Sequence, residues 1–227
     1  AKQLKRLEKA GVPIIWRPLH EASGGWFWWG AQGPDAYKKL WKYLYNELTN
    51  TYGCNNLIWV YNGQSADWYP GDEYVDIVGE DIYPGNHVYD PQVSRFKQAI
   101  NYGSKTKITA LTENGCIFDI DSAVSINALW CWFMTWGNEF TVNGSNYSEK
   151  YTEKSVIKKM YASKYSLTLG SLPKIYWHKL KTLRQANTCR SVFVTVFSLR
   201  YFWYNYHTIS EHILLLYSTG SSIGIPS

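Results

Sequence analysis

Five apolar runs rich in β-branched residues mark the first part of the chain: VPIIWRPLHE (12–21), NLIWVYNG (56–63), YVDIVGEDIYP (74–84), TKITALTENG (106–115) and ALWCWFMTWGNEF (128–140). Short continuous apolar runs bounded by turn residues predict strands buried on both faces. Between them PDAYKKLWKYLYNELTNTYG (34–53), DPQVSRFKQAINYG (90–103) and SAVSINA (122–128) carry helical patterns. Strands that alternate with helices predict βα units on a parallel sheet. The strand ends fall near 21, 62, 81, 113 and 136, roughly 29 residues apart, the scale of one βα unit.

The pattern therefore predicts an α/β fold, a partial (β/α)8 TIM barrel, because eight units need about 250 residues. The chain opens on a helical stretch, AKQLKRLEKAG, that runs straight into a strand. A helix needs something to pack on, so the expectation is that about three units precede it. An open set of five strands leaves sheet edges unpaired, and this chain alone is expected to be poorly soluble and weakly active at best. From about residue 173 the character changes. Residues 173–227 hold no Asp and one acid, Glu211, beside six Lys and Arg. They show no strand–helix rhythm and read as an irregular tail. Their apolar clusters are too short to span a bilayer, and Arg200 interrupts the first, so no membrane partner is expected.

Composition narrows the function. Aromatic residues make up 17% of the 227 positions, with 12 Trp and 19 Tyr, whereas charged residues make up only 18%. That balance suits stacking against flat, uncharged ligands and not binding to nucleic acid. The net charge of +5 comes wholly from the tail, since residues 1–172 hold 17 basic and 17 acidic residues. The four cysteines, at 54, 116, 131 and 189, have no metal-ligand spacing, so no zinc site is expected. Residues 1–11 are polar and charged, unlike a signal peptide; a secreted protein would carry its signal upstream. Asn143-Gly-Ser and Asn146-Tyr-Ser match glycosylation sequons.

The candidate chemistry lies at the strand ends. A strand period of two puts Arg17, Leu19 and Glu21 on one face, and Thr109, Leu111 and Glu113 on another. Glu21 and Glu113 each precede a Gly-rich or Asn-Gly turn, and the carboxyl ends of parallel strands carry the active sites of α/β folds. Two such acids facing one cavity are what glycoside cleavage requires, one protonated and one ionised. Each acid alone could equally pair with a base such as Arg17. Glu80 and Asp81 in GEDIYP are rival carboxylates. His20 could be a hydrogen-bonded strand-end histidine. Trp26, Trp28 and Trp29 follow a glycine pair on a βα loop, where indole faces make platforms for sugar rings; Tyr83 and Trp136 sit at other strand ends.

RPLHEASGGWFWWG, NLIWVYNGQ, DWYPGDEYVDIVGEDIYPG and LTENG resemble glycoside hydrolase family 26, specifically its endo-β-1,4-mannanases, over about residues 1–172. The resemblance implies a (β/α)8 barrel of which the five runs are strands four to eight, and a retaining double displacement. It implies that Glu21 is the acid/base and Glu113 the nucleophile. His20 would set the nucleophile's environment, Trp26 would line the cleft, Tyr83 would contact the nucleophile, and Trp136 would floor the reacting sugar's site. Its substrate would be β-mannan, with other β-glycans such as lichenan and xylan as the alternative, or sugar binding without turnover. A monomeric extracellular enzyme is implied. After the tryptophan of the last strand many relatives carry His or Arg, whereas this chain has Gly137.

Overall fold

A computed structural model describes residues 1–168 and two short strands beyond them, Phe193–Thr195 and Ile213–Leu214. The rest of the tail lies outside the described residues. The described elements in chain order are α1 (Lys2–Lys9), β1 (Ile14–Trp16), α2 (Gly33–Asn46), β2 (Leu57–Tyr61), β3 (Ile77–Ile82), α3 (Val93–Ala99), β4 (Ile108–Asn114), α4 (Ile120–Ser125), β5 (Trp132–Thr135), the hairpin β6 (Val142–Asn143) and β7 (Asn146–Tyr147), α5 (Lys154–Ala162), β8 (Ser166–Leu167), β9 (Phe193–Thr195) and β10 (Ile213–Leu214).

Strands β1 to β5 pair in sequence order, each parallel to the next. They curl into a half-barrel, the partial (β/α)8 arrangement that the alternating pattern predicts. The outer edges are not bare: β10 pairs antiparallel with β1, and β9 lies parallel between β5 and β8. This differs from the expectation of open edges. Unpaired strand edges recruit whatever strand is at hand.

The faces of the sheet separate two kinds of apolar residue. Ile15, Ile58, Val60, Ile77, Ala110, Trp132 and Met134 pack together on the concave side. Ile14, Trp16, Trp59, Tyr61 and Val78 join a cluster with α1 and α2. Leu111 and Phe133 join another with α3, α4 and α5. The alternation along each strand is thus hydrophobic on both faces, as a sheet covered by helices requires.

Helix α2 shows why the local sequence folds this way. Pro34 and Asp35 suit a first turn. Tyr37, Leu40, Trp41 and Leu44 then fall at spacings of three and four on the core side. Trp41 is fully buried and meets Trp59 and Tyr61 edge-on, with ring centroids 5.8 and 5.9 Å away. Helical backbone continues as a π-turn through Glu47–Thr51 before Gly53, at φ +62°, ends it. Helix α5 and the β6–β7 hairpin fall on no sequence pattern noted above; α5 commits only Met160 to full burial. Trp41→Ala is expected to destabilise the fold by about 3–5 kcal/mol, read as a lowered midpoint in chemical denaturation; a shift under about 1 kcal/mol would mean that α2 is not fixed by this contact.

Candidate active site

β1 is shorter than its apolar run suggests. It ends at Trp16, and Arg17 to Glu21 form an irregular turn with Leu19 at φ +53° and Glu21 at φ +50°. Leu19 accordingly packs against the helix-side cluster and does not share a face with Arg17 and Glu21. Left-handed backbone at two non-glycine residues costs on the order of 1–3 kcal/mol each, and the surroundings hold it. Tyr37 Oη donates to the Leu19 carbonyl at 3.2 Å, Trp29 Nε1 donates to the His20 carbonyl at 2.8 Å, and the Glu21 amide donates to the Asn62 carbonyl at 2.7 Å. Three successive residues are thereby tied to α2, to the tryptophan loop and to the end of β2.

A second departure from strict alternation occurs in β4. Glu80 pairs with Leu111, but Asp81 pairs with Glu113, which leaves Thr112 as the extra residue of a bulge. The register against β5 shifts over the same stretch. Leu111 therefore faces the helices while Thr112 and Glu113 both reach the concave side, contrary to a shared face for Leu111 and Glu113. The extra residue resets the alternation. Gly79 leaves the space this needs, since a Cβ there would lie 2.4 Å from Thr112 Cγ2.

Arg17, buried at the centre, joins these pieces. Its guanidinium donates to Asn62 Oδ1 at 2.6 Å, to Asp81 Oδ2 at 3.0 Å and to Glu113 Oε1. Asn62 Nδ2 in turn donates to the Gly79 carbonyl at 3.0 Å, and Thr112 Oγ1 donates to Asp81 Oδ1 at 2.6 Å. Glu113 Oε2 accepts from Tyr83 Oη at 2.6 Å and from Trp136 Nε1 at 2.7 Å. Glu21 Oε2 accepts from Trp26 Nε1 at 3.2 Å. Oxygens of Glu21, Asp81 and Glu113 all lie within 4.8 Å of one another. That trio has the spacing to hold a metal ion, but Arg17 already supplies a cation to two of its members.

One cation facing three carboxyls drives their proton affinities apart. Burial works to raise the pKa of Glu113, but the charge of Arg17 and the hydrogen bonds from Tyr83, Trp136 and Arg17 outweigh it and hold it below the usual carboxylate range. Burial and then the charge of Glu113 push Glu21 up, against the Trp26 N–H and Arg17. Burial, with the charges of Glu113 and Glu21, carries Asp81 up to about 8 despite Arg17 and Thr112. Burial and the bond to Glu113 keep the Tyr83 phenol protonated, so it remains a donor.

The structure thus brings Glu21, Glu113, Trp26, Tyr83 and Trp136 to one place. His20 is adjacent, with its buried ring tilted against Phe27 at 4.7 Å and Trp29 at 5.7 Å. Trp26 and Trp28 are exposed, whereas Trp29 is core. Glu80 turns the other way: it is fully buried behind β3, held by Tyr102 Oη at 2.6 Å and by Arg95. Asn62 and Thr112 escaped the sequence reading, although Asn62 precedes a glycine at the end of its apolar run just as Glu113 precedes Asn-Gly near the end of its own.

The Glycosyl hydrolase family 26 model matches residues 1–171. The chain belongs to that family. A mannan endo-1,4-β-mannosidase of Thermothelomyces thermophilus is 45% identical over 172 residues, 76% of this chain and 34% of the relative. Mannan endo-1,4-β-mannosidase B of a Piromyces species is 39% identical over 173 residues, 76% of this chain and 29% of the relative. The chain thus spans about a third of the length of these curated relatives. Among solved structures, the GH26-CBM35 β-(1,4)-mannanase of Podospora anserina superposes with a TM-score of 0.65 at 44% identity, over 73% of this chain and 36% of that one. A β-mannanase from a symbiotic protist of the termite Reticulitermes speratus, complexed with gluco-manno-oligosaccharide, gives 0.68 at 40% identity, over 76% of this chain and 52% of that one.

Because Asp81 binds its proton more tightly in the folded state, it contributes stability that is complete below about pH 4 and lost as the pH rises toward about 8. Asp81→Asn fixes the neutral form, so the fall in thermal midpoint between about pH 5 and about pH 8 should be shallower than in the parent. An equally steep fall would assign the loss to another group.

Proposed function

We propose that the chain carries the chemistry of an endo-acting retaining glycoside hydrolase that cleaves β-1,4-mannosidic bonds in mannan, glucomannan or galactomannan. The observation that carries this reading is the pairing of Glu113, held ionised by Arg17, Tyr83 and Trp136, with Glu21, whose pKa is raised, across less than 4.8 Å. Carboxyls about 5–5.5 Å apart leave no room for an intervening water and favour attack by the carboxylate itself. The mannosidase names of the relatives support mannan as the substrate.

In this reading Glu113 attacks the anomeric carbon while Glu21 protonates the departing oxygen. The glycosyl ester removes the charge of Glu113, which is one of the two influences that raise Glu21. Glu21 is then a better base and takes a proton from the water that releases the product. Trp26 fixes the Glu21 carboxyl, and its ring lies over Gly24, where a Cβ would come within 2.0 Å of it. The exposed indoles of Trp26 and Trp28 offer stacking faces for the polysaccharide. We read residues 1–172 as the catalytic part and 173–227 as an appendage, in a monomeric, extracellular enzyme of hemicellulose breakdown that needs no metal or cofactor. No helix among the described residues is long and apolar enough to cross a membrane.

Reducing-sugar release from mannan, lichenan and xylan tests the substrate; turnover of lichenan or xylan but not mannan overturns it, and binding of mannan without turnover overturns the reaction. Glu21→Ala should lower turnover of mannan about 10²–10⁴-fold. It should spare the first step on an aryl β-mannoside whose leaving group needs no proton; equal losses on both substrates would remove Glu21 from the acid's role. The pH profile of kcat/KM should fall on the acid side below the ordinary carboxylate range as Glu113 is protonated, and on the alkaline side above it as Glu21 ionises. An alkaline limb at or below an ordinary glutamate's pKa would contradict the assignment.

A further inference from the structure

Asn62, the first residue after β2, links the two acids. Its side chain is fully buried. Arg17 Nη1 donates to its Oδ1 at 2.6 Å, and its Nδ2 donates to the Gly79 carbonyl of β3 at 3.0 Å. Its own carbonyl accepts from the Glu21 amide at 2.7 Å. The other arm of the same guanidinium, Nη2, donates to Glu113 Oε1. Asn62 therefore reaches Glu21 through its main chain, and Glu113 through one intervening residue.

The backbone around Asn62 is fixed. Val60 and Tyr61 pair with Ile77 and Val78, and the bond from Asn62 to the Gly79 carbonyl extends that register by one step through a side chain. One residue on, the Gly63 carbonyl accepts from the Ser23 amide at 3.2 Å, a second rung between the end of β2 and the turn that carries Glu21. A Cβ at Gly63 would lie 2.4 Å from Tyr61 Oη, and that hydroxyl donates to the Ser65 carbonyl at 2.5 Å. Glycine is thus required where the chain passes the Tyr61 hydroxyl.

The chemistry demanded of this side chain is narrow. One atom must accept from a buried cation, and its neighbour on the same carbon must donate to a carbonyl oxygen. A primary amide does both without charge. An ionised carboxylate only accepts, and its second oxygen would face the Gly79 carbonyl with no proton between them. A serine hydroxyl is a single, shorter polar atom that does not span both partners. A glutamine brings an extra methylene into a closed space. The titratable groups gathered round the amide are Arg17 on Oδ1, Asp81 of β3 and Glu113 of β4 on the same guanidinium, and Glu21 on the main-chain bond. All four are present in the parent as well, so the ratio of variant to parent isolates what a substitution at Asn62 adds.

We propose that Asn62 is a positioning residue for the reaction: it holds the Glu21 turn and the Arg17–Glu113 pair at the separation that attack and proton donation require. This rests on the glycosidase reading above. The test compares the full chain with Asn62→Ser and Asn62→Asp on manno-oligosaccharides, with rates normalised to folded protein; either variant suffices where the other does not fold. Asn62→Ser should lower kcat about 10–100-fold while KM moves by less than about threefold, because small displacements of reacting groups act on turnover. Asn62→Asp should be as slow near neutral pH and approach the parent as the pH falls toward about 4, since the protonated acid again offers a carbonyl oxygen to Arg17 and an O–H to the Gly79 carbonyl. Retention of the parent's kcat by Asn62→Ser, a loss confined to KM, or an Asn62→Asp deficit that does not shrink at low pH overturns the proposal. So does a lowered denaturation midpoint with kcat per folded molecule unchanged, the mark of a merely structural residue. NMR titration of the Glu113 carboxyl reads the same contact without turnover: Asn62→Ser should raise its pKa toward the ordinary range as Arg17 loosens. That shift, with no hydrolysis by the parent, would refute the reaction and uphold the role of Asn62. A Glu113 titration identical in parent and variant refutes that role whether or not the parent turns over.

Discussion

One buried guanidinium organises the concave end of this sheet. Arg17 leaves β1 and bonds to groups from β2, β3 and β4 at once. A buried cation is costly unless its hydrogen bonds and charge are met, and here Asn62, Asp81 and Glu113 meet them together. The same contact does electrostatic work in the other direction. Arg17 keeps Glu113 ionised, while burial and the charge of Glu113 make Asp81 and Glu21 hold their protons more tightly. The inner packing of the half-barrel and the ionised state of Glu113 therefore have a common cause.

Supporting bonds extend that order outward. Asn62 accepts from Arg17, donates across to β3 and, through its carbonyl, holds the Glu21 amide. The tryptophan loop is fixed by the buried half of its own aromatics: Trp29 stays in the core and bonds to the His20 carbonyl, while Trp26 and Trp28 remain exposed. A single run of indoles thus serves both to anchor a strained turn and to present flat apolar surface beside it. The turn past β5 does a similar job on the other side, where Phe140 bridges from Tyr151 to Tyr83.

Much of this was legible in the residues. The apolar runs marked all five inner strands, because a parallel sheet buried on both faces writes its strands as continuous hydrophobic stretches, and Glu21 and Glu113, singled out at the ends of those runs, come together in the structure. Three things were not legible. The bulge at Thr112 reverses which side of β4 faces inward, and no period-two pattern can announce an extra residue. The left-handed turn at Leu19 and Glu21 follows from contacts with Tyr37, Trp29 and Asn62, which are distant in the chain or come from another element. Asp81 read as a rival to the two glutamates, and its bonds to Arg17 and Thr112 beside them were not foreseen. Each depended on tertiary contacts that local sequence does not encode.

The bond between the Trp26 indole and the Glu21 carboxylate has an optical consequence. Carboxylates near an indole alter its emission according to their charge, and Trp26 is an exposed ring whose N–H points at a titrating group. Trp136 stands in the same relation to Glu113, so a change in the charge of either glutamate occurs beside an indole of the chain.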